Sequence, residues 1–486
     1  MLNQSDLYLA PNVSRSAVNR FFEAFLPEKN EIHAIEIHHK GSLVLRVSPA
    51  PYSCSDKREI YSLSKSFCST AVGFLIDEEK LDLDARIVDL FPEYVPENPQ
   101  PGLLKMKVRH VMSMNSGHGG CAMPGMIRAG SRPEDEIRSF MEQPIPYEPG
   151  THFAYNTGAT LVLSHIVERI TGMKLLDFLT WKLFMPLGIS DIRWNRTPDG
   201  ANEGGCGIHV SVDDISKLGL LYLNRGVWNG TRLLSEKWVA EATSPISDNS
   251  MNGSPDWCSG YGFQFWVNAR EGFRGDGAFG QLCVVCRPKN LVFACTSQLN
   301  CDFQTLMDAL YEYLVDPIAE EALPESADEA AQAAAFAAEA AALTCRLPEG
   351  TDTAPAGVSG NVYELSPNRF GVKAFSLRFG ETDTLTADTD AGSFTLPVGH
   401  GAFLEGETAM APREGVHAPF WHEAACAGAW QDGKYRLAVL YTRTTTRDDV
   451  VLEFCPHGVR VTVKRVGCFF GGETRIAGFL RGSTDV

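Results

Sequence analysis

The stretch Tyr61-Ser62-Leu63-Ser64-Lys65-Ser66-Phe67 (YSLSKSF, residues 61–67) marks the point where the chain changes its periodicity. Before it, residues 31–48 alternate apolar and polar side chains on both sides of Lys40-Gly41, which predicts a β-hairpin. After it, Phe67, Ala71, Phe74, Leu75 and Glu78 recur at helical spacing, predicting a helix from Ser62 onward with a broad, buried apolar face. On that helix Ser62 and Lys65 would share one face, a single turn apart. A serine hydroxyl is a weak nucleophile until a neighbouring base takes its proton, and lysine becomes such a base when burial lowers its pKa. A helix start adds a favourable dipole for the anionic character that develops during acyl transfer. The S-x-x-K spacing recurs by chance in long chains, so its meaning depends on the sequence around it.

Working outward, helices are expected at 133–143, 159–172 and 212–224, and strands at 260–268 and 282–297, the latter two joined by the Gly-rich segment 274–281. A strand pair, a long helical insertion and then antiparallel strands read as an α+β layer architecture with helices covering one sheet, over residues 1–318. Residues 319–345 are Ala-rich and carry the capping box Ser326-x-x-Glu329, with Phe336 and Leu343 on one face, which predicts a linker helix. Residues 346–486 hold short alternating runs separated by Gly, Asp, Asn and Pro, the pattern of an all-β sandwich or barrel. No chemical motif stands out there, so its expected role is structural or substrate-capping.

The chain has 486 residues, beyond the size at which one core keeps growing, which favours more than one domain. Its net charge of −17 repels phosphate backbones and anionic lipid, which excludes nucleic acid as an expected partner. The first fifteen residues lack the basic start, apolar run and small-residue cleavage site of a signal peptide, and no apolar stretch is long enough to span a membrane. Thirteen cysteines follow no regular framework. A cytoplasmic location is expected. Cys283 and Cys286 form C-x-x-C inside an apolar strand-like run with no second pair nearby, and they read as buried small hydrophobes. Acidic residues spread along the helices read as solvated faces, and no His/Asp/Glu cluster has metal-ligand spacing; no metal and no cofactor are expected.

Four further motifs accompany YSLSKSF in order: LDLDARIVDLFPE (81–93), VRHVMSMNSGH (108–118), EPGTHFAYNTGATLVLSHIVERITG (148–172) and GGCGIHVSVDDISKLGLLYLNRGVWNG (204–230). Together, over about 300 residues, they resemble the penicillin-recognising serine hydrolases related to class C β-lactamases and D,D-peptidases. The resemblance implies an antiparallel sheet flanked by helices plus an all-helical lobe, with the active site in the cleft between them. It further implies Ser62 as the acylated nucleophile, Lys65 as its hydrogen-bonded partner and Tyr155 as a second base. It gives the backbone N–H groups of Ser62 and Ala278 as the oxyanion hole. Tyr155 would act as a base if the positive charge of Lys65 lowered its ordinary pKa of about 10.

Two motifs depart from the family pattern. The second is Tyr155-Asn156-Thr157 where Y-x-N is common, so either Thr157 replaces the substrate-contacting amide or Asn156 works from a shifted position. The third falls at Gly275-Asp276-Gly277 and lacks the basic residue that would hold a substrate carboxylate. Arg274 and Asp276 share a strand face, so Arg274 either compensates or pairs with Asp276. The glycines are expected to let substrate approach the strand closely. His110 and His118 read as hydrogen-bonded structural histidines, while Asn115 and Ser116 are candidates to orient water. These readings point to a serine hydrolase acting on ester or small amide substrates. β-Lactamase, D,D-carboxypeptidase or D-aminopeptidase activity ranks second, and a penicillin-binding or sensing protein that does not turn over is the rival from another class. The β region as a binding module in its own right has no specific residue behind it.

Overall fold

Lys40 and Gly41 both take positive φ, 51° and 80°, as a tight two-residue hairpin turn requires, and they join strand Glu31–His39 to strand Ser42–Val47. In this computed structural model residues 7–25, 31–121, 136–299, 302–319, 345–351, 353–410, 422–469 and 471–481 are described. The hairpin lies in a seven-stranded antiparallel sheet in the order Leu7–Leu9, Ser42–Val47, Glu31–His39, Leu291–Gln298, Gln281–Cys286, Phe273–Gly277, Trp266–Val267. Strands Glu31–His39 and Leu291–Gln298, far apart in sequence, therefore meet at the sheet's centre, with residues 48–265 inserted between Ser42–Val47 and Trp266–Val267.

Because alternate residues of a strand face opposite ways, the central strands bury both faces. Val285, Val292 and Ala294 join one core with the helices Ser64–Asp77, Thr157–Thr171 and Val212–Leu223. Leu282, Val284 and Phe293 join another with the helices Arg15–Phe25 and Phe303–Ala309. Helices therefore cover both faces, not one. Cys283 belongs to the first core and Cys286 to the second, so the C-x-x-C pair is split across the sheet.

The helical readings hold: Glu136–Glu142, with residues 133–135 of the expected helix outside the described residues, and Thr157–Thr171 and Val212–Leu223 with slightly shifted ends. The helix expected from Ser62 begins at Ser64, and Ser62 itself sits in a short 3-10 turn, Tyr61–Leu63. The strand expected over 260–268 is confined to Trp266–Val267, because residues 261–265 bend to bring Tyr261, Phe263 and Phe265 into the core. The run 282–297 is two strands joined at a tight turn, Asn290 N–H donating to Arg287 O at 3.0 Å.

The C-terminal strands form one ten-stranded antiparallel sheet running from Gly392–Val398 at one edge to Leu404–Thr408 at the other. The edges curl together, with Gly428 N–H on Gly399 O at 2.9 Å, so the sheet is a nearly closed barrel around Leu396, Cys426, Tyr435 and Val439. The Ala-rich linker lies almost wholly in residues 320–344, outside the described residues. Contacts join the barrel to the seven-stranded half. Buried Arg58 donates to the carbonyls of Thr442 and Thr444, Glu59 N–H donates to Arg443 O at 3.0 Å, and buried Arg447 pairs with Glu31. Among the described residues no helix is long and apolar enough to cross a membrane.

Candidate functional site

Ser62 is held by its neighbours before any partner reaches it. Tyr61 has φ 49°, a left-handed conformation that costs a non-glycine residue about 1–3 kcal/mol and persists only where the surroundings fix it. Here its hydroxyl meets Thr445 Oγ1 at 2.7 Å and its buried ring packs edge-on to Phe279 at 5.3 Å, while Leu63 N–H closes the turn on Ile60 O at 3.2 Å. Thr445 belongs to the barrel, so the C-terminal strands pin the residue beside Ser62.

One turn on, the Lys65 ammonium donates to Ser62 Oγ at 3.1 Å, Thr157 Oγ1 at 3.2 Å and Gly205 O at 2.7 Å. All three N–H bonds are used and none goes to a carboxylate. The side chain is 1% exposed, and burial pulls its pKa down to about 8 against the opposing pull of Cys206, Cys121 and Asp276. Tyr155 lies above this lysine, its ring centroid 4.9 Å from Nζ, and its hydroxyl is hydrogen-bonded to Ser62. The ring is stacked on Trp266 at 5.6 Å and 19°. Burial, then the Asp276 charge, raises the Tyr155 pKa, with the Ser62 hydrogen bond opposing. The expectation that Lys65 lowers it is not met: Lys65 is not among the leading influences, and burial, the largest, raises it.

Of the second motif's alternatives, Asn156 is fully buried and caps the helix Thr157–Thr171, accepting from Ala159 N–H at 3.3 Å. Thr157, the helix's first residue, is the one beside Lys65. In the third motif Arg274 is fully buried, donating to Asp276 Oδ2 at 3.1 Å and Asn268 Oδ1 at 3.2 Å with its guanidinium 4.1 Å over the Trp257 ring. It is a partner for Asp276, whose carboxyl pKa burial raises and Arg274 lowers. The glycines make room for the protein's own chain. A Cβ at Gly277 would lie 2.1 Å from Ile60 O, and one at Gly275 would lie 2.2 Å from Leu63 Cδ1. They let strand Phe273–Gly277 press against the turn that carries Ser62. Ala278 follows at the strand's end, its carbonyl accepting from Gln281 Nε2 at 3.1 Å, and Phe279 turns away at φ 64°.

His110 accepts from Lys107 N–H at 3.2 Å and His118 lies between Ser116 Oγ at 2.9 Å and Phe140 O at 3.1 Å. Asn115 donates to Ser247 Oγ at 2.8 Å. All four side chains of that loop are tied into the protein. Three contributors gave no sequence signal. The Gly205 carbonyl acts through the backbone, and Cys206 and Cys121 are among the groups that oppose the fall of the Lys65 pKa from segments far along the chain. A cleft of about 620 Å³ beside Tyr155 is walled by Trp257, Trp266 and Phe303, which come from three separate segments. Phe469 of the barrel, 69% exposed, packs 5.2 Å from Phe279 and 6.1 Å from Tyr61, beside the Ser62 turn.

This arrangement, a serine hydroxyl beside a buried lysine of lowered pKa and a neutral tyrosine, suits proton removal and nucleophilic attack. Residues 39–311 match the Beta-lactamase family model. The chain is 28% identical over 271 residues to the 6-aminohexanoate-dimer hydrolase of Paenarthrobacter ureafaciens, covering 50% of this chain and 66% of that one. It is 26% identical over 161 residues to the lovastatin esterase of Penicillium rubens, covering 29% and 40% respectively. The match thus spans less than two-thirds of these curated relatives. The octameric penicillin-binding protein homologue of Pyrococcus abyssi superposes with a TM-score of 0.50 at 16% identity over 92% of this chain and 99% of that one, so the fold likeness extends into the barrel. With more than half of its length matched in this way, the chain belongs to the Beta-lactamase family.

Proposed function

We propose that the protein is a serine hydrolase that cleaves ester or small amide bonds through an acyl-enzyme on Ser62. The observation that carries this reading is the Lys65 to Ser62 hydrogen bond of 3.1 Å, made by a buried amine whose pKa of about 8 leaves a usable neutral fraction near neutral pH. Neutral Lys65 takes the Ser62 proton as Oγ attacks the carbonyl carbon, and the N–H groups of Ser62 and Ala278 receive the developing oxyanion. The neutral Tyr155 hydroxyl delivers a proton to the leaving group and recovers one from Lys65. Water then attacks the acyl carbonyl by the reverse route and frees Ser62.

The substrate class rests on what lines the cleft. Trp257, Trp266 and Phe303 offer apolar surface, and the only charged group of the third motif's outer face is a carboxylate whose arginine is buried with it. A substrate bearing its own carboxylate would meet Asp276, so esters and uncharged amides rank ahead of β-lactams and D-Ala-D-Ala peptides. The name of one relative, an esterase, supports that order. We place the protein in the cytoplasm on its irregular cysteine pattern.

A chromogenic short-chain ester is expected to give a burst of product that Ser62→Ala abolishes, with a fluorophosphonate probe adding one adduct at Ser62. Absence of that adduct would remove the nucleophile assignment. Faster turnover of nitrocefin than of any short-chain ester would reverse the substrate order.

A further inference from the structure

We propose that Glu136, His165 and Asp199 form a binding site for a divalent transition-metal ion of the zinc class, built into the helical half behind the cleft. The three residues come from separate segments: the helix Glu136–Glu142, the helix Thr157–Thr171 and the turn after strand Arg193–Trp194. His165 is eight residues along the helix that starts at Thr157, about 12 Å down its axis. The site is therefore distinct from the Lys65 group.

The spacing of the donor atoms is the first argument. His165 Nε2 lies 3.5 Å from Glu136 Oε2 and 3.5 Å from Asp199 Oδ2, and the three atoms all fall within 4.8 Å of one another. A hydrogen bond between imidazole and carboxylate would close to about 2.7–3.2 Å. Donors around a tetrahedral ion with bonds of about 2.0–2.1 Å stand roughly 3.3–3.4 Å apart. The observed separation matches shared ligation better than mutual bonding.

The second argument is that two of these atoms are left without a hydrogen bond. Glu136 Oε2 and His165 Nε2 are buried without a hydrogen bond, although the Glu136 side chain is only 4% exposed. Asp199 is braced from behind: its Oδ1 accepts from Thr197 Oγ1 and from Ala201 N–H at 3.0 Å, which leaves Oδ2 directed at His165. Metal-ligating carboxylates are held in that manner. The charged neighbours around the cavity of about 200 Å³ are spent elsewhere, Arg169 on Glu93 and Glu168 on Lys174 at 2.6 Å. Two carboxylates face one imidazole with no lysine or arginine paired to either among the described residues, a charge balance that a divalent cation completes.

The ion would clasp two helices to the turn that leads into Gly205. Asn195 O accepts from Glu203 N–H at 3.1 Å, and Gly205 O holds Lys65 at 2.7 Å. Its role is to brace that turn, with no step in the chemistry at Ser62.

The test uses the full chain, stripped with EDTA and titrated with zinc by calorimetry, alongside Glu136→Gln and His165→Gln. One equivalent of zinc is expected to bind wild type, with affinity at least tenfold weaker in each variant, and to raise the thermal midpoint of wild type alone. Fluorophosphonate labelling of Ser62 in zinc-free variants checks that they are folded. Cobalt in place of zinc is expected to give d–d bands without a thiolate charge-transfer band. Equal zinc binding by wild type and His165→Gln, no zinc binding by wild type, or a thiolate band would overturn the proposal. Because the readouts are binding and spectra, failure here leaves the Ser62 reading untouched, and loss of labelling in wild type would sink that reading alone.

Discussion

If Lys65 is the base, the protonation of one buried amine sets the rate, and the pH profile follows from its environment. With a pKa of about 8, the neutral fraction is about 1% at pH 6, about 9% at pH 7 and about 90% at pH 9. The value of kcat/KM reports the free enzyme, so it should climb about tenfold per pH unit below pH 8, level off above it, and rise roughly 90-fold from pH 6 to pH 9. Asp276 makes this sharper. Its carboxylate is among the groups that push the Lys65 pKa up, so Asp276→Asn leaves the amine easier to deprotonate. The rising limb must then move to lower pH, and activity at pH 6 must grow as a fraction of the plateau. The assay is initial-rate hydrolysis of a nitrophenyl ester at matched ionic strength, corrected for the uncatalysed rate at each pH. A flat profile from pH 6 to pH 9, or a limb that Asp276→Asn moves to higher pH, would refute Lys65 as the base.

Tyr155→Phe keeps the stack on Trp266 but removes the hydroxyl that meets Ser62, and kcat should fall about 10²–10⁴-fold with the thermal midpoint little changed, as steady-state kinetics and calorimetry can report. Gly277→Ala forces a methyl to within 2.1 Å of the Ile60 carbonyl; it should destabilise by about 1–3 kcal/mol in denaturant unfolding and lower kcat by displacing the Ser62 turn. Folding takes Lys65 from an ordinary 10.5 to about 8, so the unfolded chain binds more protons between those values and wild-type stability rises with pH across that window. Lys65→Met lacks this contribution; its stability relative to wild type should drop by about 3 kcal/mol from pH 7 to pH 10.5 in parallel unfolding curves.

What the sequence disclosed, and what it hid, follows from how each feature is encoded. The hairpin at Lys40-Gly41 and the helices near 159–172 and 212–224 were legible because their periodicity is local and their ends carry turn or capping residues. Residues 261–265 misled because an aromatic-rich run has strand propensity, while tertiary packing draws Tyr261, Phe263 and Phe265 inward on a bent backbone. The barrel's reach into the site was hidden for a different reason. Thr445 and Phe469 are ordinary loop residues whose importance depends on Tyr61, about four hundred positions earlier. Glu136, His165 and Asp199 are likewise invisible as a motif, since their spacing belongs to three segments and not to one helix or turn.

The glycines of the third motif show where reading by residue type stops. Gly275 and Gly277 both signal that something comes close to strand Phe273–Gly277, and substrate was the natural candidate in a cleft. The structure fills that space with Leu63 Cδ1 and the Ile60 carbonyl. The close approach thus joins two parts of the chain, the turn with Ser62 and the strand leading to Ala278, whose N–H groups are proposed to hold one oxyanion between them. Two donors can serve a single oxygen only if their backbones are held about as far apart as that oxygen permits. A side chain at Gly277 would wedge these backbones apart, so the absence of one fixes the separation of the proposed donors.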